Sequence, residues 1–231
     1  MAIKINHQIQ DCDFLLKAVD GNRAAMTAKG FTDAKYTSLT NAKTELIMKE
    51  AAQQKAVKLV DDKTAEQNES IKSVTGIIQQ VKNSGKSAYG KDARFLKIFK
   101  VGETIPASVG ALRAQCEYFT ALALEHHDVL LENGLTQEDI DALNSSYGLL
   151  VSADASQENA KKLQVSATMM RDDASKKLND QTFKTRSFAQ TCFAKNPEIL
   201  VEFKPLPKGG GGRGGSGGTD TPPEPPSNPP A

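Results

Sequence analysis

Apolar residues recur every three or four positions along most of this chain, and two long stretches add a seven-residue step. Leu15, Ala18, Val19, Ala25 and Met26 share one stripe of a helix expected over about Asn6 to Lys29. Gly30 ends it as a left-handed C-terminal cap would, and Thr32 before Asp33 suits the N-cap of the next helix. That second helix is expected from about Asp33 to Ser87. Leu39, Leu46, Val60, Val74 and Val81 follow the seven-residue step, and Val57, Ile71 and Ile78 form the adjoining row. Gln53, Thr64 and Gln67 interrupt this seam with polar layers. A helix of that length spans roughly 80 Å at 1.5 Å per residue. Helices beyond about 25 residues imply coiled-coil packing. The alternative is a pair of helices broken near Asp61-Asp62 or at Gly76.

Gly85 and Gly90 bracket the exit, and Phe95-Leu96-Lys97-Ile98-Phe99 is then expected as a strand or an extended strap. Pro106 suits the first turn of a third helix ending near Asn133. Gly134 closes it, and Thr136 with Asp139 resembles a capping box opening a fourth. The fourth helix is expected to about Phe193, where Asn196-Pro197 stops it. Residues 199–203 repeat the apolar strap.

This order of elements occurs twice at one offset. Sliding the chain by 104 residues sets Cys12 on Cys116, Gly30 on Gly134, Leu39 on Leu143, Leu46 on Leu150 and Gln53 on Gln157. Leu59 falls on Leu163, Leu96 on Leu200 and Phe99 on Phe203. Internal repetition of this kind decides architecture before any single motif does. The expected fold is all-α: an elongated helical bundle from a tandem duplication of a short-helix/long-helix unit, with antiparallel coiled-coil-like packing. Residues 1–105 form the first repeat and 106–207 the second, joined in one bundle. The long helices are expected to lie antiparallel about a pseudo-twofold axis, with Leu59 and Leu163 facing each other beside it.

Composition narrows the function classes. The 231 residues carry 29 basic and 28 acidic side chains, for a net charge of +1, so no basic surplus argues for nucleic acid or an anionic membrane. No apolar run approaches the roughly 18 residues of a spanning helix, and Met1-Ala-Ile-Lys-Ile-Asn has no apolar signal core. The expected location is cytoplasmic, where three cysteines read as free thiols. Residues 208–231 are rich in Gly and Pro. They are expected as a disordered tail, since they hold too little apolar surface to offset ordering entropy. Pro222–Pro225 and Pro226–Pro229 give weak Pro-x-x-Pro spacings.

Candidate chemistry is sparse. His126, His127, Asp128 and Glu132 form the densest polar cluster. A helical metal site needs ligands on one face at spacings of three or four. Asp128 and Glu132 meet that, but adjacent histidines point about 100° apart. The first repeat has Asn22 and Arg23 at those places, so a solvated helix end is the favoured reading and no metal is expected. Cys12 and Cys116 read as small buried residues, with a redox or metal pair as the alternative. Cys192 aligns with Ala88, and His7 completes no Cys–His–acid arrangement. Met169-Met170 reads as core or boundary packing. No phosphate loop, dinucleotide fingerprint, nucleophile elbow or zinc spacing is present, and the expectation is no cofactor.

The function expected from these features is that of a non-enzymatic helical-bundle protein. It acts through its surface as a structural, adaptor or assembly component, with protein partners or self-association and neither nucleic acid nor membrane. One alternative is a small-ligand-binding bundle with a pocket where Gln53, Thr64 and Gln67 face Gln157, Thr168 and Arg171. Another is a metal or redox protein using His126, His127 or the cysteines.

Overall fold

A computed structural model describes residues 2–207, and every regular element among them is helical. The Gly/Pro-rich segment at 208–231, with its Pro-x-x-Pro spacings, lies outside the described residues. The elements are α1 (Ala2–Gly21), α2 (Arg23–Ala28), α3 (Asp33–Tyr89), α4 (Ala93–Ile98), α5 (Val109–Glu125), α6 (His127–Glu132), α7 (Gln137–Cys192) and α8 (Pro197–Glu202). No helix is long and apolar enough to cross a membrane among the described residues.

The two long helices are continuous. α3 holds 57 residues and α7 holds 56, so neither Asp61-Asp62 nor Gly76 breaks the first. The capping box at the start of α7 is present in both directions. The Asp139 N–H donates to Thr136 Oγ1 at 3.1 Å, and the Thr136 N–H donates to Asp139 Oδ2 at 3.0 Å. Gly30 and Gly134 carry φ of 91° and 95°, the left-handed conformation a helix C-cap asks of glycine.

Three sequence expectations need correction. The first short helix breaks at Asn22, which separates α1 from α2, and the third breaks at His126, which separates α5 from α6. Both residues leave helical geometry, with φ/ψ of −113°/17° and −110°/23°; Gly21 stands at the first break, and neither Gly nor Pro stands at the second. The expected strands or straps are instead the one-and-a-half-turn helices α4 and α8. Asp92 caps α4 by accepting the Arg94 N–H at 2.9 Å, and Pro197 occupies the first turn of α8. These local start signals outweigh the apolar run that follows them.

By packing, the described chain divides into two compact units: residues 2–31 with 184–207, and Thr32–Phe183. Residues 1–105 and 106–207 thus each contribute to both units. In the smaller unit, Leu15, Val19, Met26, Phe31, Ala189 and Phe203 form a buried core. In the larger unit, Val74, Ile78, Val81, Phe99, Leu112, Phe119, Leu130 and Leu143 share one core. The bounds of three elements recur 104 residues apart: α2 with α6, α4 with α8, and the start of α3 with that of α7. Buried side chains recur at the same step, among them Cys12 and Cys116, Met26 and Leu130, Leu39 and Leu143, and Leu46 and Leu150.

Candidate interaction surface

Within the larger unit, α3 and α7 are tied by polar side chains. Gln67 Nε2 donates to Asp154 Oδ1 at 2.7 Å, and Gln157 Nε2 donates to Thr64 Oγ1 at 3.1 Å. Arg171 Nε stands 3.9 Å from Glu50 Oε2, and Lys177 Nζ donates to Glu45 Oε1 at 3.0 Å. The residue numbers of each pair total 221 or 222, so the two helices run antiparallel in one constant register. Buried positions on α7 follow steps of three and four: Leu143, Ser146, Leu150, Gln157, Ala160, Arg171, Ala174 and Leu178. On α3, Leu39, Leu46, Val74 and Val81 are buried as the seven-residue step implies, and Val60 is half-buried.

The polar layers expected to line a pocket make direct bonds instead. Thr64 meets Gln157, while Gln67 bonds Asp154 and Arg171 stands beside the buried carboxylate of Glu50. Gln53 and Thr168 are half-buried, and the Thr168 hydroxyl bonds the Gln164 carbonyl of its own helix. A cleft of about 340 Å³ does lie in this unit. Its walls are Glu66, Glu69, Ser70, Ser73, Val74, Ser146 and Leu149, none of them in the anticipated set.

Leu59 and Leu163 stand at the same level of the antiparallel pair, since they share its register. Leu59 is half-buried, whereas Leu163 is 57% exposed. Leu163 also has company on the surface. Val165 is 60%, Met169 64% and Met170 51% exposed, so neither methionine is core, and Met170 Sδ meets Lys49 Nζ of α3 at 3.9 Å at the edge of the pair. Two helices bury only the seam between them, so large apolar residues elsewhere on the wheel stay in water. Between Lys162 and Arg171, α7 carries no charged residue. Contiguous exposed apolar surface rimmed by polar groups marks sites of association.

The histidine cluster is divided by its own hydrogen bonds. His126 turns inward, where its Nδ1 meets the Tyr89 hydroxyl at 2.7 Å. Its ring lies edge-on to Tyr89 and Phe95, which stack on each other at 3.9 Å. His127 turns outward between Asp128 Oδ1 and Gln137 Oε1, each at 2.8 Å. The Asp128 hydrogen bond, followed by that of Gln137, raises its pKa above the ordinary value. Glu132 is exposed on α6. Among the described residues, no group of three or more His, Cys, Asp or Glu side chains is placed to hold a metal ion.

Cys12, Cys116 and Cys192 are buried, and none forms a disulfide among the described residues. The Cys116 thiol donates to the Leu143 carbonyl at 3.5 Å, and burial pushes its pKa up. A thiol held protonated makes a poor nucleophile. Cys192 faces the Ala25 carbonyl within the smaller unit.

Two cations, one buried and one half-buried, hold contacts that apolar spacing does not mark. Lys82, 2% exposed, donates to the Glu103 carbonyl at 2.9 Å. Burial lowers its pKa, with Glu103 opposing that shift. Arg186 grips both Asp11 carboxylate oxygens, at 2.9 and 2.8 Å, and donates to the Phe203 carbonyl at 2.9 Å. Each fastens the chain just after a short helix to the last turns of a long one. Lys82 and Arg186 stand 104 residues apart.

No protein-family model, curated protein or solved structure matches this chain.

Proposed function

We propose that this chain is a non-enzymatic helical scaffold, built from two copies of one helical unit, that acts as an assembly component through its surface. Three observations support the duplication. Element bounds recur at a step of 104 residues. Residues at that step share roles, as Lys82 and Arg186 do. The cross-helix bonds also map onto each other: shifted by 104, the pair Glu50–Arg171 becomes Asp154–Gln67. With a register totalling 221 and a step of 104, a pseudo-twofold axis of the α3–α7 pair would fall between residues 58 and 59, which supports the expected position of Leu59 and Leu163 beside it. The three- and four-residue steps of the buried seam support coiled-coil-like packing.

The assembly role is carried by one observation, the exposed apolar stretch at residues 163–170 of α7. Four large apolar side chains held in water by a regular helix form a ready binding surface. Affinity capture with the full chain tests this, set against a Val165→Glu, Met169→Glu variant. Both positions are exposed, so the variant folds. A stoichiometric protein partner, second copies of the chain included, is expected with the native chain and lost with the variant. Equal recovery with both chains, or no protein with either, overturns the reading.

A further inference from the structure

Residues 161–173 of α7 read Lys-Lys-Leu-Gln-Val-Ser-Ala-Thr-Met-Met-Arg-Asp-Asp. Two lysines precede the uncharged stretch and two aspartates follow Arg171. Turned end for end about Ala167, the segment sets Asp-Asp against Lys-Lys and Val165 against Met169, with Leu163 opposite Arg171 and Met170 opposite Gln164. Lys162, Ser166, Met169 and Asp173 follow steps of four, three and four, which puts them on one outward stripe. All four are exposed. Small Ser166 sits mid-stripe, where two helix backbones could approach closely.

The geometry points to a second copy of this chain as the occupant of the surface, its α7 lying antiparallel on this α7 and crossing at the level of Ala167. This rests on the assembly reading above and names its partner. The contact is isologous: each copy offers the same patch, and Lys161 and Lys162 of one copy stand beside Asp172 and Asp173 of the other. Charge fixes the direction, because a parallel pairing sets lysines against lysines and aspartates against aspartates. The existing partners of these charges do not prevent the exchange. Lys161 holds Glu158 at 2.8 Å and Asp173 holds Lys176 at 3.3 Å, both exposed pairs within one helix turn, and such pairs contribute little. Arg171 binds Asp172 at 2.7 Å and also has Glu50 beside it at 3.9 Å.

The test is sedimentation velocity on the full chain and two charge variants. Lys161→Asp with Lys162→Asp makes both ends of the patch acidic, and Asp172→Lys with Asp173→Lys makes both ends basic. The native chain is expected to dimerise in the micromolar range. Each variant alone is expected to lose dimer by at least about tenfold in dissociation constant, one charge-pair's worth of free energy or more. An equimolar mixture of the two is expected to regain it, and that recovery also shows that both variants fold. A native chain that stays monomeric, or variants that dimerise as tightly as the native chain, overturn the proposal. A monomeric native chain that still captures a different protein through Val165 and Met169 sinks self-association and leaves the assembly reading standing.

Discussion

Gly85 lies directly beneath the Phe99 ring. A Cβ built there would fall 2.4 Å from two ring atoms, and Phe99 is fully buried. Gly85→Ala gains about 1 kcal/mol in helix propensity but overpacks the core by about 1–3 kcal/mol. Net destabilisation is expected in a urea titration, and a stabilised variant would mean that the ring does not sit there. At the position 104 residues further on, Ala189 is buried with its methyl accommodated. Arg186 and Asp11 are each 14% exposed at the side chain. Asp11→Ala removes both carboxylate contacts of the guanidinium and the Leu206 N–H bond, a loss of about 2–3 kcal/mol. Thermal unfolding reads it, and an unchanged midpoint refutes the anchor. His127 gives a pH dependence of definite sign. Its folded pKa is raised by Asp128 and Gln137 from 6.5. Protonation therefore stabilises the fold below that ordinary value, and the contribution fades as pH rises through the folded pKa. A proton NMR titration is expected to place the His127 midpoint above 6.5, and to return it toward 6.5 in an Asp128→Asn variant.

At the scale of elements, much of the helix pattern was legible. The seven-residue step through Leu39, Leu46, Val74 and Val81 marked the buried face of α3 because a long helix must keep one stripe toward its neighbour. Thr136 with Asp139 marked the start of α7. Thr136→Ala is expected to cost about 1 kcal/mol in chemical denaturation, with no loss contradicting the reciprocal cap. The break at Asn22 had a signal in Gly21-Asn22, whereas the break at His126 has neither Gly nor Pro beside it, and both residues make side-chain contacts distant in sequence. Asn22 donates to the Glu202 carboxylate at 2.9 Å, and His126 binds Tyr89. Nor could apolar spacing place Glu50 and Asp154 opposite Arg171 and Gln67, because a charged side chain at a seam position does not show in an apolar pattern. The exposure of Met169 and Met170 was hidden for a related reason. Apolar spacing alone does not say how many helices share the core, and here the α3–α7 pair leaves their side of the wheel in solvent.

At the scale of the whole molecule, two proposals stand together: that the chain repeats one helical unit, and that the uncharged stretch of α7 binds a second copy. The first explains why so many residues of like role stand 104 apart. The second explains why a regular helix exposes Leu163, Val165, Met169 and Met170 between opposite charge pairs. The antiparallel pairing of the two α7 segments can be tested with a zero-length carbodiimide cross-linker on the purified full chain, followed by mass spectrometry. Within one α7, Lys162 and Asp173 are about 16 Å apart along the helix axis, too far for a zero-length bond, so a link between them arises only between copies. The Lys161–Glu158 pair at 2.8 Å serves as the internal control. The account predicts Lys161 or Lys162 joined to Asp172 or Asp173 in a species of twice the chain mass. A strong Lys161–Glu158 link without any such joined species would contradict it.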